Sequence, residues 1–133
     1  MIVYLDANCV IYFVERNPVW WPLITARIAA LRAAGDELAV SDLTRTECLV
    51  GPLRSGDATI LASYQAFFSD PAIRVLPLTA PVCERAAHVR ATYGLKLPDA
   101  LHLAAAIEHG CGLFLTNDAQ LARCTDIPVE VLI

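Results

Sequence analysis

IVYLDANCVIYFV, residues 2–14, sets a strand pattern directly against a helix pattern. Ile2 to Leu5 is a short apolar run of the kind that forms a strand covered on both faces. Asp6-Ala-Asn8 is its exit, and Asp6 or Asn8 can cap a helix running towards Val14. Outward from there the same alternation repeats. A helix is predicted over about Trp20 to Ala34, because Leu23, Ile24, Ala26, Ile28 and Leu31 leave Arg27 and Arg32 towards solvent, and Gly35 stops it. Leu38 to Val40 reads as the next strand. Ser41 and Asp42 offer caps for a short helix holding Arg45, Glu47 and Cys48 and ended by Gly51-Pro52, with a partner helix from about Asp57 to Phe68.

Ile73 to Leu76 reads as a third strand, and Thr79 with Pro81 opens a helix whose Val82, Ala86, Val89 and Tyr93 share a stripe ended by Gly94. Leu97 to His109 is apolar nearly all round, as a helix packed into the middle of a fold should be, with Pro98 and Asp99 in its first turn and Gly110 after its last. Leu113 to Leu115 is a fourth strand, Asp118 caps a brief helical turn, and Val129 to Leu132 is a fifth. Strands alternating with helices make an α/β fold, a central parallel sheet of about five strands flanked by helices. No linker, internal repeat or low-complexity stretch divides the chain, so 133 residues are expected to fold as one domain.

Apolar residues make up 56% of the chain and mean hydropathy is +0.50, enough to leave apolar surface for a partner once the core is full. Asp6, Glu15, Arg16, Arg27 and Arg32 interrupt the N-terminal region, so no membrane span is expected. Met1 to Leu5 has no basic leader, which makes a cytoplasmic location the expectation. Five cysteines without C-x-x-C spacing argue against a disulfide framework and a zinc site. The net charge of -4 comes from 14 acids against 10 bases, so setting four acids aside for one site leaves the two signs equal. The total therefore weighs little against a polyanionic substrate.

Four acids fall where such a sheet builds sites. Asp6 follows the first strand, Glu47 lies in the helix after the second, Asp118 follows the fourth, and Asp99 opens a helix. Ligands bind beyond the carboxyl ends of the strands where strand order reverses, which would bring these groups together. Gathered carboxylates repel unless a divalent cation neutralises them, and hard oxygen donors select magnesium or manganese over zinc. The plainer role is also open: Asp6, Asp99 and Asp118 stand at or near helix starts, where aspartate is favoured as a cap, and Glu47 alone could be a solvated helix acid.

LDAN at Leu5 to Asn8, TRTE at Thr44 to Glu47, PDALHLAAA at Pro98 to Ala106 and LTND at Leu115 to Asp118 together resemble the PIN-domain nucleases, most nearly the VapC-type toxins of bacterial toxin-antitoxin pairs. The resemblance spans almost the whole chain. It implies a PIN-like three-layer sandwich over residues 1–133 and a metal-dependent endoribonuclease. Asp6 and Asp99 would be metal ligands for Mg2+ or Mn2+, and Glu47 and Asp118 would complete the catalytic acidic site. Asn8, Thr116 and Asn117 would hold the carboxylates and bound water in place. The partners implied are an RNA substrate, a cognate antitoxin and a second copy in a homodimer, with no membrane. Attack by water would leave 5'-phosphate and 3'-hydroxyl ends. In Asp118-Ala-Gln-Leu121 an aromatic is common at the last position, and Leu121 fills the same apolar role.

His102, three residues after Asp99 on the same helical face, could reach the metal, but a buried histidine more often satisfies a hydrogen bond. Cys9 and Cys48 lack a paired base, and nearby acids raise a thiol pKa, so neither is expected to be a nucleophile. Arg45, Arg54, Arg85, Arg90 and Lys96 are candidates to grip phosphate, and Trp20-Trp21 is expected to pack against the core or a partner. A dinucleotide-binding fold would need a glycine-rich loop after the first strand, and no glycine precedes Gly35. Haloacid-dehalogenase-like enzymes would want an aspartate where Asn8 stands, and response-regulator receivers would want adjacent acids. The remaining alternative is a non-catalytic RNA-binding or scaffolding module whose acids are caps.

Overall fold

The computed structural model of the chain describes residues 1–133. Five strands form one all-parallel sheet: β1 (Ile2–Leu5), β2 (Glu37–Ser41), β3 (Ile73–Leu76), β4 (Leu113–Thr116) and β5 (Val129–Val131). Six α-helices cover it: α1 (Ala7–Val14), α2 (Trp21–Ala33), α3 (Asp42–Ser55), α4 (Ala58–Ser69), α5 (Ala80–Tyr93) and α6 (Leu97–Glu108). A 3₁₀ turn, Ala119–Arg123, leads from β4 towards β5. The strand order is β3-β2-β1-β4-β5. The chain thus winds outward from β1 to β3, then returns to the other side of β1, and the order reverses between β1 and β4. A crevice at the carboxyl ends of those two strands follows from the topology.

The period-two alternation of each strand sorts its side chains between two apolar layers. Val3, Leu5, Leu38, Val40 and Leu115 pack with α1, α2 and α4 through Val10, Ile24, Ile28 and Phe67. Tyr4, Ala39 and Phe114 point to the opposite face, against Val82, Ala86, Leu103 and Ala104 of α5 and α6. Helix α6 is buried over most of its circumference, as its sequence predicts. The α/β sandwich read from the sequence is the one observed.

One boundary differs. The helix holding Glu47 does not stop at Gly51-Pro52 but runs through both to Ser55. Pro52 lies one turn after Cys48, and both are buried on the same face, so packing offsets the missing N–H. The stop is Gly56, left-handed at φ +74°, whose N–H bonds the Pro52 carbonyl.

Candidate active site

Two of the four acids stand at the reversal of strand order. Asp6 directly follows β1 and is 5% exposed. Its Oδ1 accepts the Ala7 N–H at 2.8 Å, which caps α1, and its Oδ2 accepts the Thr116 hydroxyl at 2.7 Å. That same Thr116 Oγ1 accepts the Asp118 N–H at 3.0 Å, so one buried hydroxyl ties the ends of β1 and β4 together. Asp118 caps the 3₁₀ turn through the Gln120 N–H at 3.0 Å. Capping is therefore real for both. It occupies part of each carboxylate and leaves other lone pairs free.

Asp99 does not cap. The residue at the cap of α6 is Lys96, and Asp99 lies half-buried inside the first turn, its carboxylate engaged by no hydrogen bond or ion pair from the protein. Burial raises its pKa above the usual carboxylate range, and Asp6 and then Asp118 push it the same way. His102 opposes this and Glu47 adds to it. All four acids thus act on one electrostatic neighbourhood with Asp99 at its focus. The chain's arginine–carboxylate pairs lie elsewhere: Arg27–Glu130, Arg45–Asp42, Arg74–Glu37 and Arg85–Glu108.

Glu47 differs from the three aspartates in having a histidine as its partner. Its carboxylate is hydrogen-bonded to Nε2 of His102, which is buried in α6. Nδ1 of His102 lies 2.6 Å from the Tyr4 hydroxyl, which donates to Ser41 Oγ at 2.8 Å. The expectation that His102 satisfies a hydrogen bond holds, but the sequence reading did not anticipate that Glu47 would receive it or that Tyr4 would stand behind it. The one hint is a hydroxyl in an otherwise apolar strand.

Asn8 and Asn117 bond each other at 3.3 Å and not a carboxylate, and Asn117 also donates to the Tyr12 hydroxyl at 2.7 Å. Tyr12 stacks on Trp20 with centroids 5.4 Å apart, so the tryptophan pair packs locally. Trp21 lies under the Arg16 guanidinium. Among the bases, Arg45 and Arg85 are engaged in ion pairs, and Lys96 is exposed at the start of Asp99's helix. Burial pushes the Cys48 thiol up to about 12 and Glu47 adds to this, while Cys9 is raised by burial and then by Asp6. Neither is a nucleophile at neutral pH.

These donors fit a hard divalent cation. They are oxygens, two of them follow the strands between which the order reverses, and none is paired with an arginine. No three His, Cys, Asp or Glu side chains close into a ready-made cage. Carboxylate oxygens are the donor type that magnesium and manganese take.

The family model described as PIN domain matches residues 3–126. Among solved structures, the chain is similar to VapBC2 from Rickettsia felis, bound to a DNA fragment from its promoter, with a TM-score of 0.82 at 18% identity over 100% of both chains. It is also similar to a toxin-antitoxin complex from Klebsiella pneumoniae, with a TM-score of 0.72 and 22% identity over 97% of this chain and 96% of that one. VapC20 from Mycobacterium tuberculosis, a toxin that cleaves the sarcin-ricin loop, gives 0.72 at 14% identity over 90% and 92% of the two chains. At these identities the likeness is one of fold. No curated protein matches the chain.

Proposed function

This chain belongs to the PIN-domain family, and on that premise we propose that it is a magnesium- or manganese-dependent endoribonuclease, the toxin of a toxin-antitoxin pair. The observation that carries the reading is Asp99, a half-buried carboxylate that caps nothing, pairs with nothing and faces the field of three further acids. A protein keeps such repulsion where the charges have a ligand to hold, since perturbed carboxylates beside a crevice mark functional sites. In this reading residues 1–133 form one PIN domain.

Asp6, Asp99, Glu47 and Asp118 would hold the cation. A divalent ion held there supplies Lewis-acid polarisation of the phosphate, acidifies water and stabilises the leaving oxygen. The chain's residues do the rest. Thr116 and the Ala7 N–H fix the two oxygens of Asp6, so its direction is set before substrate arrives. Glu47 or Asp118 orients the attacking water and takes its proton. Water adds to phosphorus as the bond to the 3' oxygen breaks, leaving a 5'-phosphate and a 3'-hydroxyl.

No helix is long and apolar enough to cross a membrane. Val19 and Leu23 near α2, Val50 and Leu53 on α3, and Leu97 on α6 are exposed apolar residues that an antitoxin and a second copy in a homodimer would cover. A toxin-antitoxin complex among the similar structures supports the antitoxin, and a cytoplasmic RNA would be the substrate.

The test is cleavage of a mixed RNA substrate in manganese, magnesium and EDTA, beside Asp99→Asn prepared identically. Metal-dependent cutting that disappears in the variant supports the reading. Absence of cutting by wild type across many RNAs, with no thermal stabilisation by either ion, returns the acids to capping and the chain to a binding or scaffolding module.

A further inference from the structure

We propose that His102, locked by Tyr4, is a positioning residue that sets where the Glu47 carboxylate stands at the acidic site, an inference that rests on the metal-dependent nuclease reading. Two of the other acids are aimed by hydrogen bonds, Asp6 by Ala7 and Thr116 and Asp118 by Gln120, and Asp99 stands half-buried in the first turn of α6. Glu47 has no such fixture on its own helix. It sits mid-way along α3, caps nothing, and its side chain is 35% exposed, so three free torsions would let the carboxylate wander. The bond from His102 Nε2 removes that freedom.

His102 is itself fixed from behind. The residue is 1% exposed, its Nδ1 is 2.6 Å from Tyr4 Oη, and the two rings meet edge to face at 5.7 Å. Tyr4 is in turn clamped at the centre of the sheet, stacked on Phe114 at 5.2 Å and donating to Ser41 Oγ. Ser41 caps α3, the helix that carries Glu47, through a reciprocal box with Thr44. The chain of contacts therefore starts at the N-terminus of α3, crosses β1 and α6, and returns to α3 at Glu47. Five polar side chains are committed to it, four of them essentially inaccessible to solvent. Apolar residues of similar volume would fill the same space without the desolvation cost, so packing alone does not account for it. What the network achieves is a defined position for one carboxylate, and supporting residues of this kind govern metal affinity and activity.

The experiment compares wild type, Tyr4→Phe, His102→Leu and His102→Gln in three measurements: Mn2+ binding by titration calorimetry without RNA, KM and kcat against manganese concentration, and metal-free melting temperature. Tyr4→Phe removes only a hydroxyl and serves if His102→Leu does not fold. The expected result is a loss of about tenfold in Mn2+ affinity and in kcat for Tyr4→Phe and His102→Leu, with KM for RNA unchanged. His102→Gln, whose amide can still donate to Glu47, should recover most of it. Variants that melt lower yet bind Mn2+ and turn over like wild type would overturn the inference and leave His102 as an ordinary core histidine. Wild type that neither binds Mn2+ nor cuts RNA would overturn the nuclease reading and this inference with it.

Discussion

Thr116 donates its buried hydroxyl to Asp6 at 2.7 Å and, with the same oxygen, accepts the N–H of Asp118. A single side chain at the end of β4 therefore sets the relative positions of two acids from different strands. Thr116→Val keeps the volume and the branched shape while leaving a buried carboxylate oxygen and an N–H without their partner. It should destabilise the protein by about 1–3 kcal/mol, the cost of buried polar groups left unsatisfied. Cleavage should fall by about tenfold or more, as for other residues that support metal-site carboxylates. Urea denaturation in EDTA and initial rates in manganese measure the two separately. Stability and rate both at the wild-type level would mean that Asp6 does not depend on this bond.

Asp99 makes stability depend on pH in a direction opposite to that of an ordinary paired aspartate. Its folded pKa is raised, first by burial and then by Asp6 and Asp118, from an ordinary value of 3.8. Between the unfolded and folded pKa values the folded state holds more protons than the unfolded one, so stability falls as pH rises through that window. Above it the ionised carboxylate is a standing cost. In EDTA, Asp99→Asn should therefore be more stable than wild type at neutral pH, and the advantage should vanish as pH drops below the ordinary value. Magnesium should narrow the gap at neutral pH by stabilising wild type more. Melting curves over pH 3 to 8, with and without the ion, read this directly. A variant less stable than wild type at pH 7 in EDTA would show that Asp99 is engaged by a favourable partner.

The cysteines divide by burial. Cys9, Cys48, Cys111 and Cys124 are buried, and their thiols are raised by desolvation first, Cys48 to about 12 and Cys111 to about 11. Cys83 is exposed on α5. Brief treatment of the native protein with a maleimide at pH 7.5 should give a single adduct on Cys83, and denaturant should open the other positions. Rapid native labelling of Cys9 or Cys48 would contradict the closed packing beneath Asp6 and Glu47.

The strands and helices were legible because each carries its own period. Val3, Leu38 and Leu115 fall to one face of the sheet and Tyr4, Ala39 and Phe114 to the other, as alternation requires. The meeting of Asp6 and Asp118 was legible through topology, since residues after β1 and β4 must meet where strand order reverses. What could not be read were contacts with no local signature. Tyr4 meets His102 across 98 positions, and Asn117 meets Tyr12 across 105. No propensity or spacing encodes such pairs, because they exist only once α6 and β4 have packed against β1. The bond between His102 and Glu47, 55 positions apart, has no local signature for the same reason.

Gly51-Pro52 lies inside α3 for a different reason, and Gly51 and Gly56 give a sharp contrast. Punctuation residues stop a helix when their conformation demands it, yet Gly51 keeps helical geometry within α3, is exposed, and has open space where a Cβ would go. Its only effect there is the backbone freedom it loses on folding. Gly51→Ala should therefore stabilise by about 0.5–1 kcal/mol. Gly56 also has open space around its Cβ position but stands at φ +74°, where an L side chain meets its own backbone. Gly56→Ala should destabilise by about 1–2 kcal/mol. Gly51 lies one turn after Glu47, but a methyl group there would meet nothing within 4 Å, and Gly56 stands past the end of the helix, so both variants should keep wild-type cleavage rates. Opposite shifts in urea midpoint at equal m-value would place the end of α3 at Gly56, whereas two shifts of the same sign would return it to Gly51.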